Sequence, residues 1–353
     1  MNNSRKPTLA ANPAAQSGGG WEFDPNPTFN EIVFSDEWKN HRPKEYFEYR
    51  ELWSSVPENC TELDFPVHLD IETTTHCNLL CPMCPRTLQL NAGDHVDNFM
   101  TRDEFEAIVD QGAEHGAKSL KLQYLGEPTL HKDLAWQIGY AKDKGFVDVI
   151  INSNGTALTE KNSRSFLEAG VDGVFVSLDA VNPKLYEQQR VGASLGRTID
   201  NIYTLSKLRD EIRPGTQLRV SMILFDGDIW RKQFMGLQAM WADIVDAVGY
   251  SYFVERDADL QVDYETVEGF HCPQPFQRMF LKNNGNVTIC CVDDKDKVVV
   301  GNWKEQPLHE IWNSPQYREV RRIHAEGEYQ KMDMCRKCYM PVSVKNQEKR
   351  SIA

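Results

Sequence analysis

From Val67 onward the chain repeats one pattern: a short apolar run, a cluster of turn residues, then a longer amphipathic stretch. That rhythm is the mark of βα units. The runs Val67–Thr74, Ser119–Leu125, Val147–Asn152, Gly173–Leu178, Gln217–Leu224 and Ile244–Phe253 predict six strands. Most are nearly continuous in apolar residues, which suits a parallel sheet covered on both faces. Helices are expected between them. One opens at Thr101, with Glu104 three residues on at the spacing of a capping box. The expected fold class is α/β, a partial (β/α)6 TIM-like barrel. In such barrels the residues just past each strand build the site.

Beyond about Asp257 the pattern breaks into short polar segments and hairpin-like turns such as Asn284-Gly285, with most of the remaining cysteines. This predicts a small, metal-stapled second domain. The expected organisation is a disordered 1–20, an N-terminal extension over 21–66, a barrel over 67–256, a cluster domain over 257–342 and a tail over 343–353. The extension is rich in Trp, Phe, Pro and acidic residues, and is expected to pack on the barrel.

The chain has 353 residues, of which 41% are hydrophobic and 26% charged, so a sizeable buried core is within reach. No apolar run approaches the roughly 18 residues that span a bilayer, so no membrane role is expected. A net charge of −13 argues against nucleic acid as a partner, because a grip on phosphate backbones needs a basic surface. The first twenty residues lack the apolar segment of a secretory signal. With nine cysteines and no export signal, a reducing cytoplasm is expected, where clustered thiols serve as metal ligands.

Immediately after the first strand candidate, Cys77, Cys81 and Cys84 form a C-x3-C-x2-C triplet on a loop. Structural zinc sites take four ligands; His76 is the neighbour that could complete one. Three thiolates instead suit a 4Fe-4S cluster with one iron open to an outside ligand. This triplet after the first barrel strand resembles the signature of the radical S-adenosylmethionine (radical SAM) superfamily. The resemblance implies that S-adenosylmethionine chelates the open iron and is cleaved by one electron, delivered by a reductant such as flavodoxin or ferredoxin. The products would be methionine and a 5'-deoxyadenosyl radical that takes hydrogen from substrate. Met83 stands where the family commonly has an aromatic residue against the adenine; a polarizable thioether can serve there.

Further segments match that family in order. Leu125-Gly126-Glu127-Pro128 resembles its Gly-Gly-Glu-Pro stretch, and implies that Gly126 and Glu127 meet the cofactor's amino group. Asn152-Ser153-Asn154-Gly155 and Ser177-Leu178-Asp179 resemble its next two strand-end motifs, which places Asn154, Ser177 and Asp179 at cofactor hydroxyls or in nearby packing. Arg190 resembles an arginine that pairs with the cofactor's carboxylate, and Leu224 would cover the adenine face.

Toward the C-terminus, Cys272, the doublet Cys290-Cys291, and Cys335 with Cys338 resemble the SPASM or twitch domains of many radical SAM enzymes. Four positions suffice for one auxiliary 4Fe-4S cluster. Cys272, Cys290, Cys335 and Cys338 are the expected ligands, with Cys291 beside them; a zinc ribbon is the alternative for such paired cysteines. A fully ligated second cluster would handle electrons, which favours oxidation of a small polar substrate such as a sugar or aminocyclitol. Peptide modification and epimerisation are the alternatives from the same chemistry, and a non-catalytic iron–sulfur or zinc protein the alternative from another class. Glu255 and Arg256, just past the sixth strand, are the candidate base and substrate-binding residue.

Overall fold

A computed structural model describes residues 29–253 and 266–341. Among these residues ten strands form one sheet: β1 (Asn30–Val33), β2 (His68–Ile71), β3 (Ser119–Lys121), β4 (Asp148–Ser153), β5 (Gly173–Ser177), β6 (Gln217–Leu224), β7 (Ala247–Tyr252), β8 (Arg278–Leu281), β9 (Asn286–Thr288) and β10 (Val299–Asn302). The spatial order is β1-β7-β6-β5-β4-β3-β2-β8-β9-β10. Strands β2 to β7 run parallel, with helices in every connection, and fall on the six expected runs. The fold is therefore α/β with a partial barrel.

Helix starts follow the sequence locally. Thr101 and Glu104 exchange both bonds of a capping box ahead of the helix Arg102–Glu114, and Thr159 caps the helix Glu160–Glu168 through the amide of Asn162. These caps satisfy amide groups that a helix end otherwise leaves unpaired.

The two faces of the sheet differ more than near-continuous apolar runs suggest. One face buries Leu69, Ile71, Leu120, Val149, Val174, Leu218 and Val220 against the helices in a single core. The other carries His68 and Asp70 on β2, Lys121 on β3, Asn152 on β4, and Arg219 and Ser221 on β6. Alternation sets this division, since neighbouring residues of a strand point to opposite sides. On the inner face Asp70 is ion-paired with Lys121 and lies 3.4 Å from Arg278. Arg219 is held between the rings of Phe175 and Phe29, 3.8 and 4.1 Å from their centroids, and 3.3 Å from Glu31.

The described part of the N-terminal extension closes the lower end of this barrel. β1 pairs antiparallel with β7, and the helix Lys44–Glu58 packs Tyr46, Tyr49 and Trp53 with Trp38 and Val67. Buried Arg42 is ion-paired with Asp148 at the start of β4 and, at 2.7 Å, with Asp172 just before β5.

The segment after 266 is joined to the barrel through the sheet itself. β8 runs parallel to β2, pairing Arg278 with His68 and Leu281 with Ile71, while β9 and β10 continue as an antiparallel ribbon. Trp303 and Trp312 donate their indole N–H groups to the carbonyls of Lys282 and Leu63, at 2.7 and 2.8 Å. Among the described residues no helix is long and apolar enough to cross a membrane.

Candidate active site

The loop leaving β2 is braced from one side by residues 96–99. Thr75 accepts from the amide of Asn98 at 2.7 Å and donates to the carbonyl of Val96 at 2.8 Å. Arg86 donates to the carbonyl of Thr75 and to Asp97, both at 2.8 Å. His76 places Nδ1 2.7 Å from Asp97 and packs its ring near Phe99. The brace therefore engages the residue considered as a fourth zinc ligand.

Within the loop, Cys81 is buried, Cys77 and Cys84 are half-buried, and all three are free thiols. Burial pushes the Cys81 thiol up to about 11, with Arg190 opposing the rise and Cys84 and Cys77 adding to it. Cys77 is raised for the same first reason, again with Cys84 contributing. The three sulfurs thus lie within one another's fields, where as free thiolates they would repel. A positively charged metal centre removes that cost. Two donors also point at the sulfurs: Arg190 Nη1 lies 3.9 Å from Cys81 Sγ, and Asn154 Nδ2 lies 3.9 Å from Cys77 Sγ. Three thiols flanked by N–H donors fit a cluster held by three cysteines.

The strand-end motifs assemble around this loop. Gly126 approaches it so closely that a Cβ would sit 2.1 Å from the carbonyl oxygen of Thr74. Glu127 is 3% exposed, and its carboxylate accepts from Thr129, from Ser153 Oγ at 2.8 Å and from the amide of Asn154 at 2.6 Å. Burial raises its pKa, with those hydrogen bonds opposing. These bonds tie the ends of β3 and β4 together. Asn154 packs against the cluster loop, where Oδ1 accepts from Thr156 while Nδ2 reaches Asn78 at 3.0 Å.

Asp179 is fully buried, accepting from the amide of Ile223 at 2.8 Å and from Arg190 Nε at 2.6 Å. Each oxygen takes one of these bonds, which fixes Arg190 in the packing beside the loop. Burial works against the charge of Arg190, yet Asp179 and Cys81 keep it above the usual guanidinium range. Ser177 is half-buried and level with Ser221 on the inner face. Leu224 is 3% exposed in the helix-side core, and Ile223 is the neighbour that takes the opposite face. Met83 is half-buried within the loop. Glu255 and Arg256 lie outside the described residues.

The second group of thiols brings five cysteines together. Cys272 precedes the short helix Gln274–Gln277, Cys290 and Cys291 follow β9, and Cys335 and Cys338 lie within and just after the helix Asp333–Arg336. Burial raises Cys272, with Cys338 and Cys291 adding to it. Cys335 is raised first by burial and then by Cys338 and Cys272. Cys290 is raised by its contact with Cys291 and by burial, and its sulfur accepts from the amide of Val292 at 3.2 Å. The cysteines of this group converge in the fold although far apart in sequence, and four of them suffice to enclose a cluster.

Four residues not singled out from the sequence border these sites. Glu72 ends the polar side of β2 and bridges the amides of Leu125, at 3.3 Å, and Asn283, at 3.1 Å. Burial raises its pKa. Tyr124 has a buried hydroxyl without a hydrogen-bond partner among the described residues, and Lys282 lies 5.1 Å from its ring centroid. His324 is 2% exposed and lies 3.6 Å from Cys335 Sγ. The alternation of His68, Asp70 and Glu72 was a readable sign of a polar inner face; the other three carry no local signal.

Residues 71–226 match the radical SAM superfamily, and residues 272–339 match SPASM, an iron-sulfur cluster-binding domain. The chain belongs to the radical SAM superfamily and is an enzyme of that class, with 4Fe-4S clusters and a C-terminal SPASM domain. It is similar to a probable GTP 3',8-cyclase of Methanococcus maripaludis, 34% identical over 227 residues, covering 62% of this chain and 72% of that protein. A Methanocaldococcus jannaschii protein, also a probable GTP 3',8-cyclase, is 34% identical over 134 residues, 38% of this chain and 43% of its own length. The chain thus spans under half of that relative.

Among solved structures, Streptococcus suis SuiB bound to precursor peptide SuiA aligns with a TM-score of 0.58 at 15% identity, covering 82% of this chain and 75% of that one. BtrN in complex with AdoMet and 2-DOIA aligns with a TM-score of 0.51 at 20% identity, covering 78% and 94%. At these identities the likeness is one of fold.

Proposed function

We propose that this enzyme abstracts hydrogen from a hydroxyl-bearing carbon of a small polar substrate, a sugar or aminocyclitol, and oxidises it by two electrons to a carbonyl. The observation that supports this most is the chemistry of the inner face. Its strand ends carry Asn152, Ser177 and Ser221, which are neutral hydrogen-bonding groups. The described cations beneath them are engaged by carboxylates, Lys121 and Arg278 by Asp70 and Arg219 by Glu31. Such a surface suits hydroxyl and amine groups better than phosphates, which call for uncommitted cations.

Cys77, Cys81 and Cys84 would hold the first cluster, and Cys272, Cys290, Cys335 and Cys338 the second. When bound, these clusters and S-adenosylmethionine supply a 5'-deoxyadenosyl radical and a sink for the electron left on the substrate carbon. Arg190, fixed by Asp179, offers a donor for the cofactor's carboxylate. Glu255 takes the hydroxyl proton and Arg256 binds substrate in this scheme. A cytoplasmic flavodoxin or ferredoxin serves as reductant.

A second reading, cyclisation of a nucleoside triphosphate, is favoured by the 34% identity to the M. maripaludis relative. The test is anaerobic incubation of the reconstituted enzyme and S-adenosylmethionine with carbon-deuterated polyols and aminocyclitols, or with GTP. The expected result is deuterium in 5'-deoxyadenosine and a carbonyl product from a polyol or aminocyclitol. Deuterium transfer from none of these, or turnover of GTP alone, overturns the proposal.

A further inference from the structure

Away from both cysteine groups, Asp64, His115 and His309 offer one ligand atom each, all within 4.8 Å of one another. They come from three separate stretches. Asp64 lies before β2, His115 follows the helix Arg102–Glu114, and His309 belongs to the helix Leu308–Trp312. The two imidazole rings stack with centroids 4.5 Å apart and planes inclined by 18°. His309 Nε2 lies 3.0 Å from Asp64 Oδ1. Asn313 holds the geometry from behind, donating to the carbonyl of Asp64 at 2.9 Å and lying 3.2 Å from His309 Nε2. Phe65 packs against His115, its ring centroid 5.2 Å away.

We infer that this trio is a binding site for a divalent transition-metal ion of the zinc type, separate from the iron–sulfur sites. The two imidazoles are borderline donors, which favour zinc over magnesium or calcium, and the carboxylate is an oxygen donor that zinc also accepts. Three protein ligands leave room for water. Ligands about 2.0 Å from a tetrahedral ion are about 3.3 Å apart, so the Asp64–His309 pair already has the required span. The stacked rings keep the two imidazoles side by side, and a turn of His115 about its side-chain bonds would bring its nitrogen onto the shared ion. An ion here would tie the extension, the barrel and the C-terminal segment at one point, beside the Trp312–Leu63 hydrogen bond of 2.8 Å.

The test uses the full chain with its cysteine sites first loaded with iron and sulfide, so that thiols do not compete. One equivalent of zinc is added anaerobically, the protein is desalted, and zinc and iron are counted by mass spectrometry. X-ray absorption at the zinc edge reports the ligands. The wild type should retain about one zinc per chain, with imidazole scattering and no sulfur. Its melting temperature should rise with added zinc. His309→Ala should weaken zinc binding at least tenfold at unchanged iron content. Asp64→Asn, which preserves the shape of the pair, should do so more mildly. Failure of the wild type to retain zinc, a sulfur-containing shell, or equal retention by the His115→Ala, His309→Ala double variant overturns the site.

Discussion

Gly126→Ala is the sharpest perturbation of the first cluster, because it adds one methyl where only backbone stands. The new Cβ would lie 2.1 Å from Thr74 O, 2.7 Å from Thr74 C and 2.9 Å from His76 O. None of these atoms can turn aside as a side chain would. Restoring ordinary contact, about 3.5 Å between non-bonded heavy atoms, requires the loop and the end of β3 to part by more than about 1 Å. That movement breaks the 2.8 Å bond from the Glu127 amide to the carbonyl of His76. Overpacking of this kind costs about 1–3 kcal/mol, and an unpaired buried amide about as much again.

The displaced segment carries Cys77, so the cost falls on assembly of the first cluster and leaves the second group of thiols untouched. After anaerobic reconstitution, iron should drop from about eight to about four per chain, with 5'-deoxyadenosine formation lost. Gly139→Ala is the control: its added Cβ meets only the carbonyl of Ala169, at 4.0 Å, and iron and activity should stay at wild-type levels. Full iron and full cleavage activity in Gly126→Ala would refute the close-approach reasoning.

In the C-terminal group, Cys290→Ser should lose the second cluster's electron paramagnetic resonance signal while Cys291→Ser keeps it, since the Cys290 sulfur is buried and accepts the Val292 amide. His324 Nδ1 can only accept from the Cys272 amide, at 3.4 Å, which leaves the proton of the neutral ring on Nε2, 3.6 Å from Cys335 Sγ. His324→Phe removes that N–H donor and should lower the midpoint potential of the second cluster in a redox titration, at unchanged iron content. Stability should fall with acid through His68, whose pKa burial lowers to about 4. The unfolded chain binds this proton below about pH 6.5 and the folded protein only below about 4, so stability present at neutral pH is lost as pH falls through that window. Between pH 6.5 and 5 the loss from this residue is about 2 kcal/mol, and denaturant titrations of His68→Gln should show a correspondingly flatter profile.

What the sequence revealed and what it withheld divide along one physical line. The triplet at Cys77, Cys81 and Cys84 and the six parallel strands are local signals, set by spacing and apolar runs, and the fold places them in the expected order. The facing of side chains is not local. Leu224 and Ile223 are equally apolar neighbours, and only the register of β6 against β5 and β7 decides that Leu224 joins the helix-side core. Likewise Glu127, Asn154 and Asp179 stand at the expected strand ends, and their bonds to Ser153, Asn78 and Ile223 are to partners that meet them only once the strands are paired. The link between barrel and C-terminal segment was hidden for the same reason. β8 is a four-residue run too short to read as a barrel strand, yet its pairing with β2 sets Asn283 against Glu72 and draws the second thiol group toward the barrel's mouth. The residues that organise this site are thus largely those whose partners lie in another strand.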